Sequence, residues 1–181
     1  MKSLYPLITY KNECFQEYHD ECSLVLWCHG CNWNCDWCSL KDIIYDEKNI
    51  IDEEYLPLIA HTTAIETAVV FLGGEPTIHK KGLYIGCSVA KDAGLKTKIF
   101  TNGSNPHVIM YLIERGLLDA VSLDYKSYKD KLLLLRLLPK DFNTEIRITL
   151  HDGIDEMKLI LMKQKADKIF PNVKIFTQNL I

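Results

Sequence analysis

The nonapeptide Ala68-Val69-Val70-Phe71-Leu72-Gly73-Gly74-Glu75-Pro76 sets the fold class. Its first five residues are apolar, with β-branched and aromatic types among them, and paired glycines and a proline end the run. A run so short and so uniformly apolar reads as a strand buried on both faces, the habit of central strands in parallel sheets. Lys80–Ala93 follows with helical spacing, Gly94 sits where a helix end favours a left-handed residue, and Thr97–Phe100 is the next short apolar run. Strand, loop, helix and strand in that order make a βαβ unit.

The alternation continues in both directions. Cys22–Cys28, Ala120–Leu123, Glu145–Leu150 and Val173–Thr177 read as further strands, and Glu53–Ile65, Pro106–Arg115, Tyr128–Leu138 and Ile154–Ala166 as helices. Asn105 before Pro106 predicts an N-cap with proline at the first helical position, and Gly116 closes the same helix. Pro57 weakens the first helix, and Leu132–Leu138 is apolar enough to be a buried strand instead. No repeat, low-complexity tract or linker interrupts the pattern. The prediction is an α/β chain, a single domain over residues 1–181, whose six strands form a mostly parallel sheet curved into an open, partial (β/α)6 barrel.

With 21 Lys and Arg against 24 Asp and Glu, the net charge is -3, which leaves no electrostatic footprint for nucleic acid or a membrane surface. No apolar run is long enough to span a bilayer, and the N-terminal residues lack a signal-peptide core, so a cytoplasmic location is expected. In that compartment seven cysteines do not predict disulfides. Four of them fall between Cys28 and Cys38, whereas Cys14, Cys22 and Cys87 are scattered and read as buried thiols.

Cys31-Asn32-Trp33-Asn34-Cys35-Asp36-Trp37-Cys38 places three thiolates in a loop short enough to wrap one small metal centre. Soft sulfur donors suit an iron–sulfur cluster, and three ligands instead of four would leave one iron open to a small molecule. A structural zinc site completed by Cys28 or His29 is the other reading, although Cys28 also fits as a small apolar residue ending its strand. In a parallel α/β sheet, ligands gather at the carboxyl ends of the strands. The cysteine loop, Gly73-Gly74-Glu75-Pro76, Thr101-Asn102-Gly103 and Asp124-Tyr125-Lys126 each follow a predicted strand, so all four belong to one edge. Gly-Gly and Asn-Gly are also ordinary turns, and Asp124 with Lys126 could be a surface pair. In the strand Glu145–Leu150, alternation puts Glu145, Arg147 and Thr149 on one face with His151 beyond them, a polar face that suits a cavity interior.

C-x3-C-x-aromatic-C with Trp37 as the aromatic, followed by Gly73-Gly74-Glu75-Pro76, resembles the signature of the radical S-adenosylmethionine (SAM) superfamily. Thr101-Asn102-Gly103-Ser104-Asn105-Pro106 and Gly116 through Lys126 resemble the activating proteins of anaerobic ribonucleoside-triphosphate reductase, with matching order and spacing from about Cys22 to His151. The resemblance implies a [4Fe–4S] cluster on Cys31, Cys35 and Cys38. It further implies SAM held through Trp37, Gly73, Gly74, Glu75, Thr101, Asn102, Asp124, Lys126 and Arg147, with Glu75 at the SAM ammonium and Lys126 near its carboxylate. On this reading no side chain serves as a general acid or base. The implied partners are a glycyl-radical protein, namely anaerobic ribonucleotide reductase, and an electron donor such as flavodoxin or ferredoxin.

Two departures mark the limits of the likeness. Relatives often carry an acidic residue before Thr-Asn-Gly that joins the aspartate at a monovalent cation site, where this chain has Phe100, and Ser39-Leu40 stands where many show His-Asn. No cysteine follows Cys87, which predicts one cluster and no auxiliary ones. Two other classes of function stay in view. One is a radical SAM enzyme acting on a small molecule or nucleobase, like the deazaguanine synthases, many of which have a longer insertion between the first two cysteines. The other is a zinc- or cluster-stabilised binding module.

Overall fold

The fold is described from a computed structural model, over residues 3–62, 65–126 and 132–179. Seven strands form one sheet in the order of the chain, β1 (Leu7–Cys14), β2 (Ser23–Cys28), β3 (Ala68–Gly73), β4 (Lys96–Thr101), β5 (Ala120–Asp124), β6 (Asn143–Leu150) and β7 (Lys174–Asn179). β1 runs antiparallel to β2, and every later pairing is parallel. The sheet is open, and the six parallel strands are those expected from the apolar runs. Among the described residues the crossovers carry α1 (Tyr55–Ala60), α2 (Lys80–Asp92), α3 (Pro106–Glu114), α4 (Leu133–Leu137) and α5 (Glu156–Ile169).

Alternation along the strands explains the layers. Leu24, Leu26, Val69, Phe71, Ile99, Val121, Ile146 and Ile148 join the helices in the larger core. Val25, Val70, Leu72 and Phe100 occupy the opposite, concave face with Tyr18. Both faces of β2 and β3 are therefore covered, which is why they read as unbroken apolar runs.

The differences from the expected elements have local causes. β1 escaped the sequence pattern because Lys11, Asn12 and Glu13 are exposed, its pairing with β2 shifts register twice, and Glu13 adopts φ 51°. The first helix is only Tyr55–Ala60, with Pro57 in its opening turn, where a missing N–H costs no hydrogen bond. The expected helix Tyr128–Leu138 survives as Leu133–Leu137, and residues 128–131 lie outside the described residues, as do 63–64 of the first helix. Gly94 and Gly116 take φ 77° and 66°, as helix-terminating residues should. Asn105 precedes α3 without capping it, and its amide instead donates to Thr77 Oγ1 at 3.0 Å.

Backbone pairing continues past β3 and knits the loops at the carboxyl edge. Gly74 N–H donates to Cys28 O at 3.0 Å, and Glu75 N–H to Gly30 O at 2.9 Å. This close passage is what demands the paired glycines: a Cβ on Gly74 would lie 1.7 Å from Gly30 O, and one on Gly73, at φ 118°, 2.4 Å from Cys28 N. The Glu75 side chain is fully buried. Its Oε1 accepts from Thr77 N at 3.1 Å, Thr101 Oγ1 at 2.7 Å and the Thr77 hydroxyl, and its Oε2 accepts from Asn102 N at 2.7 Å. Burial raises the Glu75 carboxyl above its ordinary range, against the pull of those hydrogen bonds.

Glu75→Gln turns an N–H of the new amide toward one of these buried donors. It is expected to lower stability by about 1–3 kcal/mol, seen as a lower urea midpoint with an unchanged slope.

Candidate active site

β2 delivers the chain to His29-Gly30-Cys31, where Gly30 N–H donates to Ile44 O at 2.7 Å and closes the base of the cysteine loop. Inside the loop Trp33 N–H points to Cys31 Sγ at 3.4 Å, and Cys38 N–H donates to Cys35 O at 3.2 Å. The Tyr45 hydroxyl donates to Trp33 O. Cys31, Cys35 and Cys38 are half-buried, whereas Cys14, Cys22, Cys28 and Cys87 are buried. Cys28 lies in the apolar core, where burial pushes its thiol up to about 12.

The three half-buried cysteines share a cavity of about 260 Å³ with Trp37, Gly73, Gly74, Asn102, Asp124, Lys126 and Arg147. Ten of the twelve residues singled out in the sequence thus face one space. The other two, Glu75 and Thr101, lie beneath it. Glu75, which the resemblance put at a ligand ammonium, accepts here from Thr77, the Thr101 hydroxyl and Asn102 N–H. Both act on the cavity through the loops they join. Asn102 extends that connection, its Nδ2 donating to Asn32 Oδ1 at 3.0 Å while Asn32 Nδ2 donates to Ser104 Oγ at 2.8 Å.

Asp124 and Arg147 are register partners on β5 and β6. Lys126 Nζ donates to Asp124 Oδ2 at 3.0 Å. Burial would lower the Lys126 ammonium, but the Asp124 carboxylate outweighs it and raises the group above its ordinary value. Arg147 lies between this cavity and a second one of about 700 Å³ on the concave face. Its Nε donates to Gln178 Oε1 at 3.1 Å, its Nη1 is 3.3 Å from Glu17 Oε2, and its guanidinium lies 4.6 Å from the Phe100 ring centre. Lys98 covers the same ring at 4.8 Å and pairs with Glu145 at 2.7 Å. Phe100 is therefore a platform for two protein cations.

Glu17, Lys98, Phe176 and Gln178, which line the second cavity, were not singled out in the sequence. Lys98 carried a signal, being a charge inside an apolar strand. Glu17 sits in an irregular loop after β1 and carried none. Trp37 and His151 stack at 3.8 Å with their planes 12° apart, so His151 meets the cysteine loop through an aromatic contact. Gly153 N–H donates to His151 Nδ1 at 3.0 Å.

The donor set can be tested against the metal readings. Three half-buried thiols lining one cavity are the soft donor set that an iron–sulfur cluster takes, and the four buried cysteines stand apart from that cavity. Beside them, the Lys126–Asp124 pair and the Arg147 guanidinium offer complementary charge to a ligand with both an ammonium and a carboxylate.

The model of the radical SAM superfamily matches residues 25–162. A Methanocaldococcus jannaschii protein, provisionally named a glycyl-radical enzyme activating enzyme, is 36% identical over 116 residues, covering 64% of this chain and 48% of the relative. A 7-carboxy-7-deazaguanine synthase of Thermoplasma acidophilum is 38% identical over 74 residues, 41% of this chain and 34% of the relative. The chain thus spans about half the length of the first relative and about a third of the second. Among solved structures, that of TYW1 with a lysine-pyruvate adduct bound superposes with a TM-score of 0.58 at 18% identity, covering 88% of this chain and 65% of the other, a likeness of fold. No helix of the described residues is long and apolar enough to cross a membrane. With the superfamily model spanning most of its length and the cysteine loop facing the Gly73-Gly74 turn, this chain belongs to the radical SAM superfamily, whose cofactors are a [4Fe–4S] cluster and S-adenosylmethionine.

Proposed function

We propose that this chain is an activase that makes a glycyl radical on a partner enzyme, anaerobic ribonucleotide reductase. The observation that carries the reading is the meeting of the three thiols, Gly73-Gly74, Lys126 and Arg147 in one cavity that adjoins the concave face. When bound and reduced, the cofactors supply the chemistry: one electron cleaves the SAM sulfonium C–S bond to give methionine and a 5′-deoxyadenosyl radical. The partner's backbone glycine would give up a hydrogen atom and keep the carbon radical, with 5′-deoxyadenosine as the other product. The chain's own side chains bind and orient. Cys31, Cys35 and Cys38 hold the cluster. Lys126, kept charged by Asp124, pairs with the SAM carboxylate. Trp37, fixed against His151, gives the adenosyl group a rigid wall. The name of the M. jannaschii relative supports the glycyl-radical reading, and reduced thiols suit a cytoplasmic setting.

A second reading, hydrogen abstraction from a small heterocycle, is favoured by the Thermoplasma relative and by the larger cavity beside Arg147. Electron paramagnetic resonance separates the two. Reduced, reconstituted protein mixed anaerobically with SAM and an anaerobic ribonucleotide reductase should give a glycyl doublet on the reductase. SAM cleavage without that doublet would favour the small molecule.

Cys31→Ala, Cys35→Ala and Cys38→Ala are each expected to abolish SAM cleavage, followed as 5′-deoxyadenosine by chromatography, whereas Cys87→Ala should retain it. Full turnover in a cluster-ligand variant would sink the mechanism. Lys126→Met removes the charge paired with the SAM carboxylate and is expected to raise the KM for SAM about tenfold, the weight of one charged hydrogen bond. An unchanged KM would remove Lys126 from the SAM site.

A further inference from the structure

The proposed reaction consumes one electron per SAM cleaved, and the inference below rests on that reading. On that reading the substrate takes the larger cavity on the concave face, which Arg147 and Gln178 line. The electron needs a separate approach, and the helix layer on the other side of the sheet provides one. The outward turns of α2 and α3 line a shallow depression of about 460 Å³ with Lys80, Lys81, Tyr84, His107 and Tyr111. The Tyr84 and Tyr111 ring centres are 5.8 Å apart, and the Arg115 guanidinium lies 4.4 Å over Tyr111, which is 45% exposed. None of the residues lining the depression is acidic, and among the described residues neither lysine has an ion-pair partner. In a chain of net charge -3 this is a local basic face with aromatic residues at its centre. Aromatic residues with Arg are what protein interfaces enrich, and a ring of positive charge steers an acidic partner.

Its position relative to the cysteine loop gives the face its meaning. His79, the residue before Lys80, approaches His29 O with its Nε2 at 2.6 Å, two positions before Cys31. Behind α3, Asn105 reaches Thr77, and Asn102 and Ser104 both bond to Asn32, the neighbour of Cys31. Both helices therefore begin at segments that brace the cluster ligands, and a protein seated across them, from Lys80 and His107 to Arg115 at the end of α3, lies on the helix side of the sheet, opposite the concave face. The geometry points to the face formed by Lys80, Lys81, Tyr84, His107, Tyr111 and Arg115 as the docking site of an acidic, low-potential one-electron donor protein. In the step it serves, the oxidised cluster gains one electron and the flavin or iron–sulfur centre of the donor loses one.

The test compares two reductants in the anaerobic formation of 5′-deoxyadenosine by the reconstituted full chain. Dithionite needs no docking, whereas an acidic flavodoxin kept reduced by its reductase, or an acidic ferredoxin, does. For Lys80→Glu with Lys81→Glu, the dithionite-driven rate should stay within about twofold of the unsubstituted protein. The donor-protein rate should fall at least about tenfold at low salt, and the gap should close as salt screens the attraction. Tyr111→Ser, which changes no charge, should lower the donor-protein rate at every salt concentration. A donor-protein rate unaffected by charge reversal overturns the assignment. So does equal loss of both rates, or an unsubstituted protein that accepts electrons from dithionite and from neither donor protein. Absence of dithionite-driven cleavage in the unsubstituted protein would instead defeat the proposed function itself.

Discussion

The site is held together by one buried carboxylate. Glu75 sits at the end of β3 and gathers donors from its own turn and from the Thr101-Asn102 turn after β4. Its backbone, with that of Gly74, is hydrogen-bonded to the strand that feeds the cysteine loop. Asn102 then returns to Asn32 within that loop. Three loops from three strands thus form a closed circuit with an ionisable group at its centre. Buried networks of this kind are stable only when every member is satisfied. The circuit fixes where Cys31 leaves the sheet relative to Gly73 and Gly74, and so where metal and small molecule can meet.

Below the circuit, the two faces of the sheet divide the work. The helix side is apolar and packed, whereas the concave side carries Lys98, Glu145, Arg147 and Glu17 in mutual contact around Phe100. Such charges are tolerated because each has a partner of opposite sign, and the two cations also lie over the Phe100 ring. A cavity lined this way holds its shape while remaining polar.

Much of this was legible in the sequence, for physical reasons. Strands buried on both faces are mostly apolar, so β2 and β3 announced themselves, β4 and β5 did so by shorter apolar runs around Ile99-Phe100 and Val121-Leu123, and β6 by period-2 alternation. β1 pairs on one side only and is exposed along much of its length, so nothing obliged its sequence to be apolar. The placement of loops at one edge followed from parallel topology alone. What a motif cannot give is the direction of a side chain. Gly-Gly-Glu-Pro told where the turn would be, yet the glutamate faces inward to other loops and the glycines answer a close backbone crossing with Cys28 and Gly30. Glu17 and Gln178 meet Arg147 from loop and strand positions far apart in the chain, a proximity that only folding creates.

The uneven burial of the seven thiols bears on how the molecule ages in air. Cys14, Cys22, Cys28 and Cys87 are closed off from solvent, and Cys28 and Cys87 are strongly disfavoured as thiolates. Oxidants reach thiols in proportion to exposure and thiolate character. Loss of the cluster therefore leaves Cys31, Cys35 and Cys38 as the thiols open to attack. Among the thiols, oxidative injury is concentrated on the same three sulfur atoms that a repair system must reduce before rebuilding the centre.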